Sequence, residues 1–526
     1  MSITTNSIIK PFTLSLMGVA LSLSACSDFL DQTNETALTQ EQVMNDVDLV
    51  ETSLKSIYNN WKENYRDENC WLTLVGTDEI QAGALNALKE GTAVSAAWDW
   101  NCGYLNPNNE KVKTLWDSRM QVIAETTKFI TPIIEQQPEK GSHLEELLAE
   151  LSFIRGFLNY QCAMFWGRIP VIDGSGDYSR KSEKEVWQFI IDDFTRATKA
   201  PATNEVGRAS KWAGYAMLGK AYMSAPEGTG LRDFQKAAEA YGEIVKSGKF
   251  DLRDNFADLF DYTKQVTEEV ILAHTFSPAR GYANQVQFQI GSRAAQNWFT
   301  DACSFAGYDK AVPTHYAYSL QSEGGLWEEG DTRYAASLRT DFAYNGVTPD
   351  LSTLVWEGLG DDHDELLPHI KKYEDPRTDA NAGLNINNMW LSGKDIPVIR
   401  YADVLLSYAE CLNEIGKQDD ALPYVNKVRA RAHVAAWSPM SKEEFRKAML
   451  DERMRELFAE NWRRFDLIRT GTWKELVTKR NKWTARSVEA GTFLESNMRF
   501  PIPQTELNQN TDMRTESGEM DQNEGY

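Results

Sequence analysis

Cysteine is scarce in this sequence, and the few cysteines are not arranged as a redox or metal motif. The chain has six cysteines among 526 residues, none of them at a CxxC spacing. Five remain beyond the first, an odd number that leaves at least one thiol without a partner in the chain. Cys162 and Cys411 lie in apolar helical segments, so we expect both to be inert core residues. The sequence leaves open whether a disulfide forms among Cys70, Cys102 and Cys303.

The motifs that mark common enzyme classes are also missing. There is no HExxH, no Walker loop and no GxSxG in the chain, so no metalloprotease, nucleotide-binding or α/β-hydrolase site is indicated. Pairs of carboxylates occur in any acidic chain, and a glycoside hydrolase therefore remains only an alternative function. We predict no catalytic residue and no cofactor.

One acidic cluster contains the residue types that bind metal ions. Asp361-Asp362-His363-Asp364-Glu365 could ligate calcium, or together with His369 a transition metal. The cluster lacks the spacing and the central glycine of a calcium-binding loop. A solvated acidic loop is the expected structure, and we predict no metal site.

Positive charge is in deficit. The 55 Lys and Arg residues face 77 Asp and Glu residues, which gives a formal net charge of −22. Such a surface repels nucleic acids and heavily sulfated polymers, and it favours solubility. We therefore expect no nucleic-acid partner, although a local basic cleft could override the overall charge.

Long apolar runs are confined to the N-terminus. Residues 12–25 are apolar or small and uncharged, and they follow Lys10. Because about 20 apolar residues are needed to cross a bilayer, residues 1–25 are predicted to be a signal peptide. The run ends in Leu23-Ser24-Ala25-Cys26, which resembles the bacterial lipobox, so we expect acylation of Cys26, with palmitate among its acyl chains. Ordinary secretion with cleavage nearby is the alternative.

The remaining sequence is predicted to be mainly α-helical. Apolar residues recur at three- and four-residue steps in four N-terminal segments, and the long one, residues 143–166, is stopped by Gly167 and Pro170. Two helical hairpins follow, with small residues at Ala221 and Ala237 in the first, and at Ala409 and Ala421 in the second. Small residues at helix crossings favour tetratricopeptide-like pairing over generic α-hairpins.

Between the two hairpins the pattern changes. Residues 251–395 mix Gly, Asn, Asp, Pro and aromatics without sustained periodicity, and only Glu269–Thr275 is predicted to be a strand. A loop region of this length in a compact domain is usually functional. The predicted fold is therefore tetratricopeptide-like hairpins with a large irregular loop-rich lobe and a few short strands. We predict one domain, residues 26–526, whose parts are a helical scaffold (26–250 and 396–475), a ligand-facing lobe (251–395) and a C-terminal segment (476–526).

Several segments in order along the chain resemble one known family. They are Cys26–Asp31, Gly330–Arg333, Ile399–Leu406 with Tyr408-Ala409-Glu410, DERMRELFAENWRRFDLIRTGTW (residues 451–473), Pro501–Pro503 with Glu506-Leu507, and Gln522–Tyr526. Together they resemble the SusD/RagB family of outer-membrane nutrient-binding lipoproteins, over essentially the whole mature chain.

The resemblance implies a fold and a function. It implies an α-rich fold of tetratricopeptide-like pairs that carries irregular loops. It also implies a protein, lipid-anchored and exposed on the outer membrane, that captures oligosaccharides or polysaccharide and delivers them to a partner SusC-like TonB-dependent transporter, without being an enzyme. A peptide- or protein-capturing importer subunit of the same fold is the alternative.

The signature segment at residues 451–473 is expected to be structural. Arg453, Arg455, Glu456 and Glu460 are placed to pair at i,i+3 and i,i+4. The arginines of Trp462-Arg463-Arg464 could form an anion site, but we expect ion pairs with nearby acids instead.

Aromatic residues are the best candidates for holding a sugar. The chain has 16 Trp, 20 Tyr and 22 Phe, and a neutral sugar needs exposed rings for its C–H face and amide or carboxylate partners for its hydroxyls. Trp98, Trp100, Asn101 and Tyr104 lie in a polar stretch with little reason to be core, so we predict that they bind carbohydrate. An alternating pattern could still bury one of the two tryptophans.

A second candidate cluster lies in the irregular region. It contains Tyr282, Trp298, Tyr308, Tyr316 and Trp327. We predict that Trp298, which follows Gln296-Asn297, and Trp327, which follows Gly324-Gly325, bind carbohydrate. Core packing remains an equal alternative for each of these rings.

Overall fold

The computed structural model describes residues 40–83, 105–299, 303–350, 367–379 and 391–526, with single gaps at residues 45, 204, 266, 492 and 494. The predicted signal peptide and Cys26 lie outside these residues. Within them the fold is mainly helical, as predicted, with eighteen helices and six short strands. None of the described helices combines the length and the apolar composition that crossing a bilayer requires.

The described helices fall into three groups along the chain. The first group is α1 (Gln40–Met44), α2 (Val47–Trp61), α3 (Glu110–Gln136), α4 (His143–Trp166), α5 (Glu183–Ala197), α6 (Lys211–Ser224) and α7 (Phe234–Ser247). The second is α8 (Val286–Ile290), α9 (Arg293–Trp298), α10 (His315–Tyr318) and α11 (Thr332–Ser337). The third is α12 (Tyr401–Glu414), α13 (Gln418–Arg431), α14 (Lys442–Glu456), α15 (Arg463–Thr470), α16 (Trp473–Arg480), α17 (Lys482–Glu489) and α18 (Gln504–Gln509).

Helices α3 to α7 form a stack in which each helix packs against the next one along the chain. Helix α7 then packs against α12, and α12 packs against α13 and α14. The stack is therefore continuous in space although residues 251–395 separate α7 from α12 in sequence. The two predicted hairpins are α6–α7 and α12–α13. In the first hairpin the two helices cross closely, since a Cβ at Gly219 would lie 2.6 Å from the ring of Tyr241.

Helix α4 lies at the centre of the core. Ser142 caps it by accepting a hydrogen bond from the backbone N–H of Glu145, and it ends at Gly167, whose φ is +73°. From Leu147 to Trp166 every residue except Gln161 is buried. A helix that is apolar on all sides must be covered on all sides, and α2, α3 and α5 pack around this one.

The strands form three antiparallel pairs. They are β1 (Ile80–Ala82) with β3 (Ala311–Pro313), β2 (Val270–His274) with β6 (Ile396–Arg400), and β4 (Leu338–Arg339) with β5 (His369–Ile370). The predicted strand at 269–275 is observed as β2, in which Val270 lies opposite Arg400 and His274 opposite Ile396. We call residues 251–395 the lobe. Because β2 and β6 lie near its two ends, their pairing closes the base of the lobe against the stack.

A buried arginine joins the lobe to helix α14. Arg333 is fully buried and donates to both carboxylate oxygens of Asp331, at 3.0 and 2.7 Å. It also donates to Glu452 at 2.8 Å and to Glu456 at 3.2 Å. Asp331 accepts a hydrogen bond from the backbone N–H of Arg333 at the start of α11. The turn Gly330–Arg333, picked out by resemblance, is thus a structural anchor.

A second buried arginine lies at the end of β6. Arg400 contacts Glu269 at 2.6 Å, Glu456 at 2.9 Å and Glu460 at 2.8 Å. Burial alone would raise the pKa of the Glu456 carboxyl, but the guanidinium groups around it, that of Arg431 first, hold the pKa well below its usual value. The lobe base, the stack and the signature segment are therefore held together by one ionic network.

The predicted i,i+3 and i,i+4 pairing within the signature segment is wrong for most of its charges. Arg455 does pair with Glu452 at 3.1 Å within α14. Arg453, in contrast, contacts Asp403 of α12 at 2.9 Å and Asp466 of α15 at 2.8 Å. A buried charge is costly unless it is paired, so a buried guanidinium contacts the carboxylates that the fold places next to it, including those of other helices.

The C-terminal segment folds back onto the end of α4. The Asn523 side-chain amide donates to the carbonyl oxygens of Trp166 and Phe500, at 2.9 and 2.7 Å. Trp166 Nε1 donates to the carbonyl of Pro501 at 3.0 Å, and the Tyr526 hydroxyl donates to the carbonyl of Arg499 at 2.9 Å. The closing segment therefore completes the core of the stack.

The described cysteines are buried free thiols. They are Cys70, Cys162, Cys303 and Cys411. Burial raises the pKa of Cys162 to about 12, and the pKa of Cys411 is also well above its usual value because of burial. Both are inert, as expected. Cys102 lies outside the described residues.

Candidate functional site

The first predicted cluster, formed by Trp98, Trp100, Asn101 and Tyr104, lies outside the described residues. The structure fixes both ends of the segment that carries it. At one end β1 pairs with β3. The next residue, Gly83, packs so closely against Asp309 that a Cβ at Gly83 would lie 1.9 Å from the carbonyl oxygen of Asp309. At the other end Leu105 is buried, just before the first turn of α3. The described residues on both sides of this segment, Gly83 and Leu105, are therefore packed into the fold.

A half-buried aromatic ring lies next to β3. Tyr308, from the second predicted cluster, packs against Phe288 with 4.5 Å between ring centroids. The Arg293 guanidinium and the Lys310 ammonium each lie 5.7 Å from the Tyr308 ring centroid. An aromatic surface flanked by hydrogen-bond donors is the combination that a sugar ring requires.

Trp298 and Tyr282 are also accessible. Trp298 is partly exposed at the C-terminal end of α9, a helix that Ser292 caps by accepting from the backbone N–H of Ala295. Tyr282 is 62% exposed, in a turn that the backbone hydrogen bond from Ser277 to Tyr282 closes at 2.9 Å. Both rings have surface that a sugar could cover, and their role stays a prediction.

The prediction for Trp327 is wrong. Trp327 is fully buried, and its indole Nε1 donates to the carbonyl of Ala317 at 2.7 Å. Its ring packs against Tyr334 and Phe458, with centroid distances of 5.6 and 6.0 Å. The glycines before it correctly indicated a turn, but that turn folds the chain back so that the ring points into the core, where no sugar can reach it.

Tyr316 is also a poor platform for a sugar. The Arg480 guanidinium lies 3.5 Å from its ring centroid and covers one face. Burial raises the pKa of the Tyr316 hydroxyl above its usual value. The ring therefore helps to hold α16 against the lobe.

His369 is not placed to bind a metal ion. Its Nδ1 lies 2.7 Å from the carbonyl oxygen of Leu367, and its Nε2 lies 2.8 Å from a carboxylate oxygen of Asp309. Both ring nitrogens are thus engaged in hydrogen bonds. The acidic cluster at 361–365 lies outside the described residues, and the described part of the chain contains no group of three metal-binding side chains.

Two family models match the chain in succession. The model of a family described as "Starch-binding associating with outer membrane" matches residues 28–223. The model described as "SusD family" matches residues 268–526. This chain belongs to the SusD/RagB family.

Curated relatives of this SusD/RagB chain are distant but extensive. The chain is 27% identical over 391 residues to a SusD-like protein of Formosa agariphila, covering 69% of this chain and 71% of the relative. A second SusD-like protein of that organism is 25% identical, with 98% and 100% covered. The starch-binding protein SusD of Bacteroides thetaiotaomicron is 25% identical, with 72% of each chain covered.

Solved structures of the family share the fold. A SusD homologue from Bacteroides thetaiotaomicron superposes with a TM-score of 0.75 at 19% identity, covering 94% of this chain and all of that one. A laminarin-binding SusD-like protein gives a TM-score of 0.68 at 20% identity, with 91% and 99% covered. Surface glycan-binding protein A from Bacteroides fluxus gives 0.70 at 20% identity, with the same coverage. At these identities the likeness establishes the fold.

The arginines of the SusD/RagB signature bind the protein itself. Arg463 donates to both carboxylate oxygens of Asp78, each at 2.7 Å, as the predicted ion pair requires. Arg464 differs from the prediction, since it donates to the carbonyl oxygens of Gly76 and Asn497 rather than to an acid. Burial lowers the pKa of Arg464 to about 10. Both side chains fix the segment just before β1.

The lobe also contains an aromatic cluster that was not predicted from the sequence. Tyr344 packs against Phe299 and Phe305, with centroid distances of 5.4 and 6.0 Å. Tyr344 begins a tight turn in which Asn345 and Gly346 have φ of +52° and +77°. The Asn-Gly pair is a hairpin signal that could have been recognised from the sequence.

Proposed function

We propose that this protein binds oligosaccharides or polysaccharide at the cell surface and delivers them to a partner SusC-like TonB-dependent transporter in the outer membrane, without catalysing a reaction. The protein is held on the membrane by acyl chains on Cys26. The observation that carries the proposal is the succession of two matching family models, one of which describes starch-binding proteins associated with the outer membrane.

The relatives and the chemistry of the chain support a saccharide as the ligand. Relatives of the same fold include a starch-binding, a laminarin-binding and a surface glycan-binding protein. The net charge of −22 disfavours nucleic acids. Half-exposed rings at Trp298 and Tyr308, together with Trp98 and Trp100, would supply the stacking surfaces.

The expected affinity is modest. A partly used aromatic surface contributes about 1–3 kcal/mol before ordering costs. Two or three such surfaces give dissociation constants of roughly mM to μM. Several weak contacts along one polymer would raise the apparent affinity further.

Isothermal titration calorimetry against a panel of neutral polysaccharides and peptides tests the ligand class. The Trp98→Ala, Trp100→Ala double variant should lose at least tenfold in affinity, because two stacking surfaces are removed. The matched control is Tyr178→Ala, an exposed ring (47%) whose backbone N–H donates to Asp512 of the C-terminal segment. Unchanged saccharide binding in the double variant would remove these tryptophans from the site, and binding of peptides alone would overturn the proposal.

Lipid attachment is tested separately. Radiolabelled palmitate should be incorporated into the wild-type protein in cells and not into Cys26→Ala. Labelling of the variant would show that the acyl chains are attached elsewhere. Co-purification of a TonB-dependent transporter with the wild-type protein from solubilised outer membranes tests the partner.

A further inference from the structure

A second groove lies on the lobe, bounded by the 3-10 helix Phe256–Phe260, helix α11 and strand β4. Its volume is about 620 Å³, which lies within the range of ligand sites. Phe260 and Tyr262 line one wall and are both half-buried. The Arg377 guanidinium lies 4.6 Å from the Tyr262 ring centroid and the Lys372 ammonium 4.7 Å from that of Phe260. The partly exposed remainder of the two rings is the aromatic surface that this cleft offers to one or two sugar rings.

Two lysines line the same groove without an acidic partner. Lys394 is only 5% exposed, and its ammonium donates to the carbonyl oxygen of Glu374 at 3.0 Å. Lys371 donates to the carbonyl oxygen of Ala335 at 3.0 Å. Neither lysine forms an ion pair with a carboxylate among the described residues. Since an ammonium has three donors, each lysine retains capacity for an additional acceptor.

The acids nearby are already engaged. Arg339 binds both carboxylate oxygens of Glu374. Arg377 binds both carboxylate oxygens of Asp375, each at 2.8 Å. Asp261 accepts hydrogen bonds from the backbone N–H and the hydroxyl of Thr263, at 2.9 and 2.7 Å. These acids reduce the cost of burying Lys394 but leave its ammonium without a direct counter-ion.

Two other buried lysines of the chain each contact a carboxylate directly. Lys372, the neighbour of Lys371, contacts Glu460 at 2.7 Å. Lys220 contacts Asp403 at 2.7 Å. Burying a charge is costly unless the charge is paired. Lys394, buried to a similar degree, lacks such a partner and faces a groove that a ligand can enter.

We propose that this groove binds the anionic group of an acidic saccharide, a uronate in the first instance, with Lys394 and Lys371 as donors and Phe260 and Tyr262 as the apolar wall. The inference rests on the proposed function, whose substrate class it specifies. The net charge of −22 favours a polymer with sparse negative charge over a densely sulfated one, because the chain as a whole repels polyanions.

The pH dependence of binding follows from Lys394. Burial lowers the pKa of its ammonium to about 8; the Arg377 guanidinium acts in the same direction, and Glu374, Asp375 and Asp261 oppose it. An anion binds the protonated form, so affinity for a uronate should fall as pH rises from 7 to 9.5. Binding should also weaken with added salt.

The test uses the full chain and three probes of equal length: a tri-galacturonate, its methyl ester and a sulfated trisaccharide. Calorimetry should show the tri-galacturonate binding at least tenfold more tightly than the ester. Lys394→Gln and Lys371→Gln should each weaken that binding at least fivefold and leave the ester unaffected. The matched control is Lys427→Gln, a surface lysine of α13 that contacts Asp251 at 2.6 Å and should change nothing.

Each outcome decides the inference. Equal binding of the sulfated probe would support an anionic-sugar site and extend its ligand class. Equal affinity for the tri-galacturonate and the ester, with no effect of either lysine variant, would overturn it. If neutral polysaccharides from the panel above still bind, only this inference fails; if no saccharide of any kind binds, the proposed function fails as well. Lys371 is partly exposed, so its variant stays informative even if Lys394→Gln folds poorly.

Discussion

The helical stack and the lobe are stabilised in different ways. The stack buries apolar surface along its length, with α4 enclosed by its neighbours from Leu147 onward. The described helices and strands of the lobe are short. Its base is joined to the stack by buried arginines, Arg333 and Arg400 among them. Hydrophobic burial depends weakly on pH and salt, whereas a buried ionic network depends on the protonation state of its carboxylates. The two regions are therefore expected to respond differently to acid.

The largest effect is expected from Arg400→Met. This change removes the direct partner of Glu269, Glu456 and Glu460, and it leaves buried carboxylates undercompensated. Breaking a buried pair in this way costs about 3–5 kcal/mol in the free energy of unfolding. Urea unfolding followed by circular dichroism measures the loss, and hydrogen exchange should show that lobe amides lose protection first.

The matched control for Arg400→Met is Arg446→Met. Arg446 is half exposed and binds Glu414 on the surface of the stack, so its loss should cost less than about 1 kcal/mol. Equal destabilisation by the two variants would show that the network contributes no more than a surface pair, and the contrast between lobe and stack would then be unsupported.

The second largest effect is expected when the pH is lowered, because the stability of the buried ionic network then falls. Burial alone would raise the pKa of Glu452, but the guanidinium groups of Arg333, Arg455 and Arg429 lower it to about 2. The folded-state pKa is below the unfolded value of about 4.3, so the stabilising contribution is present above pH 4.3 and is lost as pH falls toward 2. The contribution is on the order of 2–3 kcal/mol.

Hydrogen exchange at pH 5 and at pH 2.5 tests this prediction region by region. Lobe amides should lose more protection at the lower pH than those of α4 and α5, which are joined by one buried ion pair, Arg155–Asp193, and mainly by apolar packing. Glu452→Gln should already be destabilised at pH 7 and should change less between the two conditions. Simultaneous loss of protection in both regions of the wild type would mean that the network does not define a separate unit of stability.

The same contrast explains what the sequence could predict. The helices of the stack were predictable because their apolar residues recur with a local period, and strand β2 because it is a short, nearly continuous apolar run. The partners of Arg333 and Arg400 were not, since they come from segments far apart in the chain. Trp298 and Trp327 look alike in sequence, since each follows polar or glycine residues, yet Trp298 is accessible and Trp327 lies in the core. Because the surrounding sequence has no apolar period, it does not indicate which of the two rings is buried. Lys371 and Lys394 meet in one groove only through the fold of the lobe.

The smallest effect tests close packing in the stack. Gly219→Ala places a Cβ 2.6 Å from the buried Tyr241 ring, which has no room to move. Overpacking of this kind costs about 1–3 kcal/mol in the free energy of unfolding, partly offset by up to about 1 kcal/mol of helix propensity.

Gly242→Ala, in the facing helix α7, is the matched control, because the heavy atom nearest to its new Cβ would be the Tyr408 hydroxyl oxygen at 3.7 Å. Thermal unfolding should therefore show opposite signs for the two alanines: a lower midpoint for Gly219→Ala, and an unchanged or higher one for Gly242→Ala. Neither shift should depend on pH between 5 and 8, because burial holds the pKa values of the neighbouring Tyr241 and Tyr408 hydroxyls above their usual value. Two shifts of the same sign would mean that α6 and α7 are not packed as closely as the stack requires.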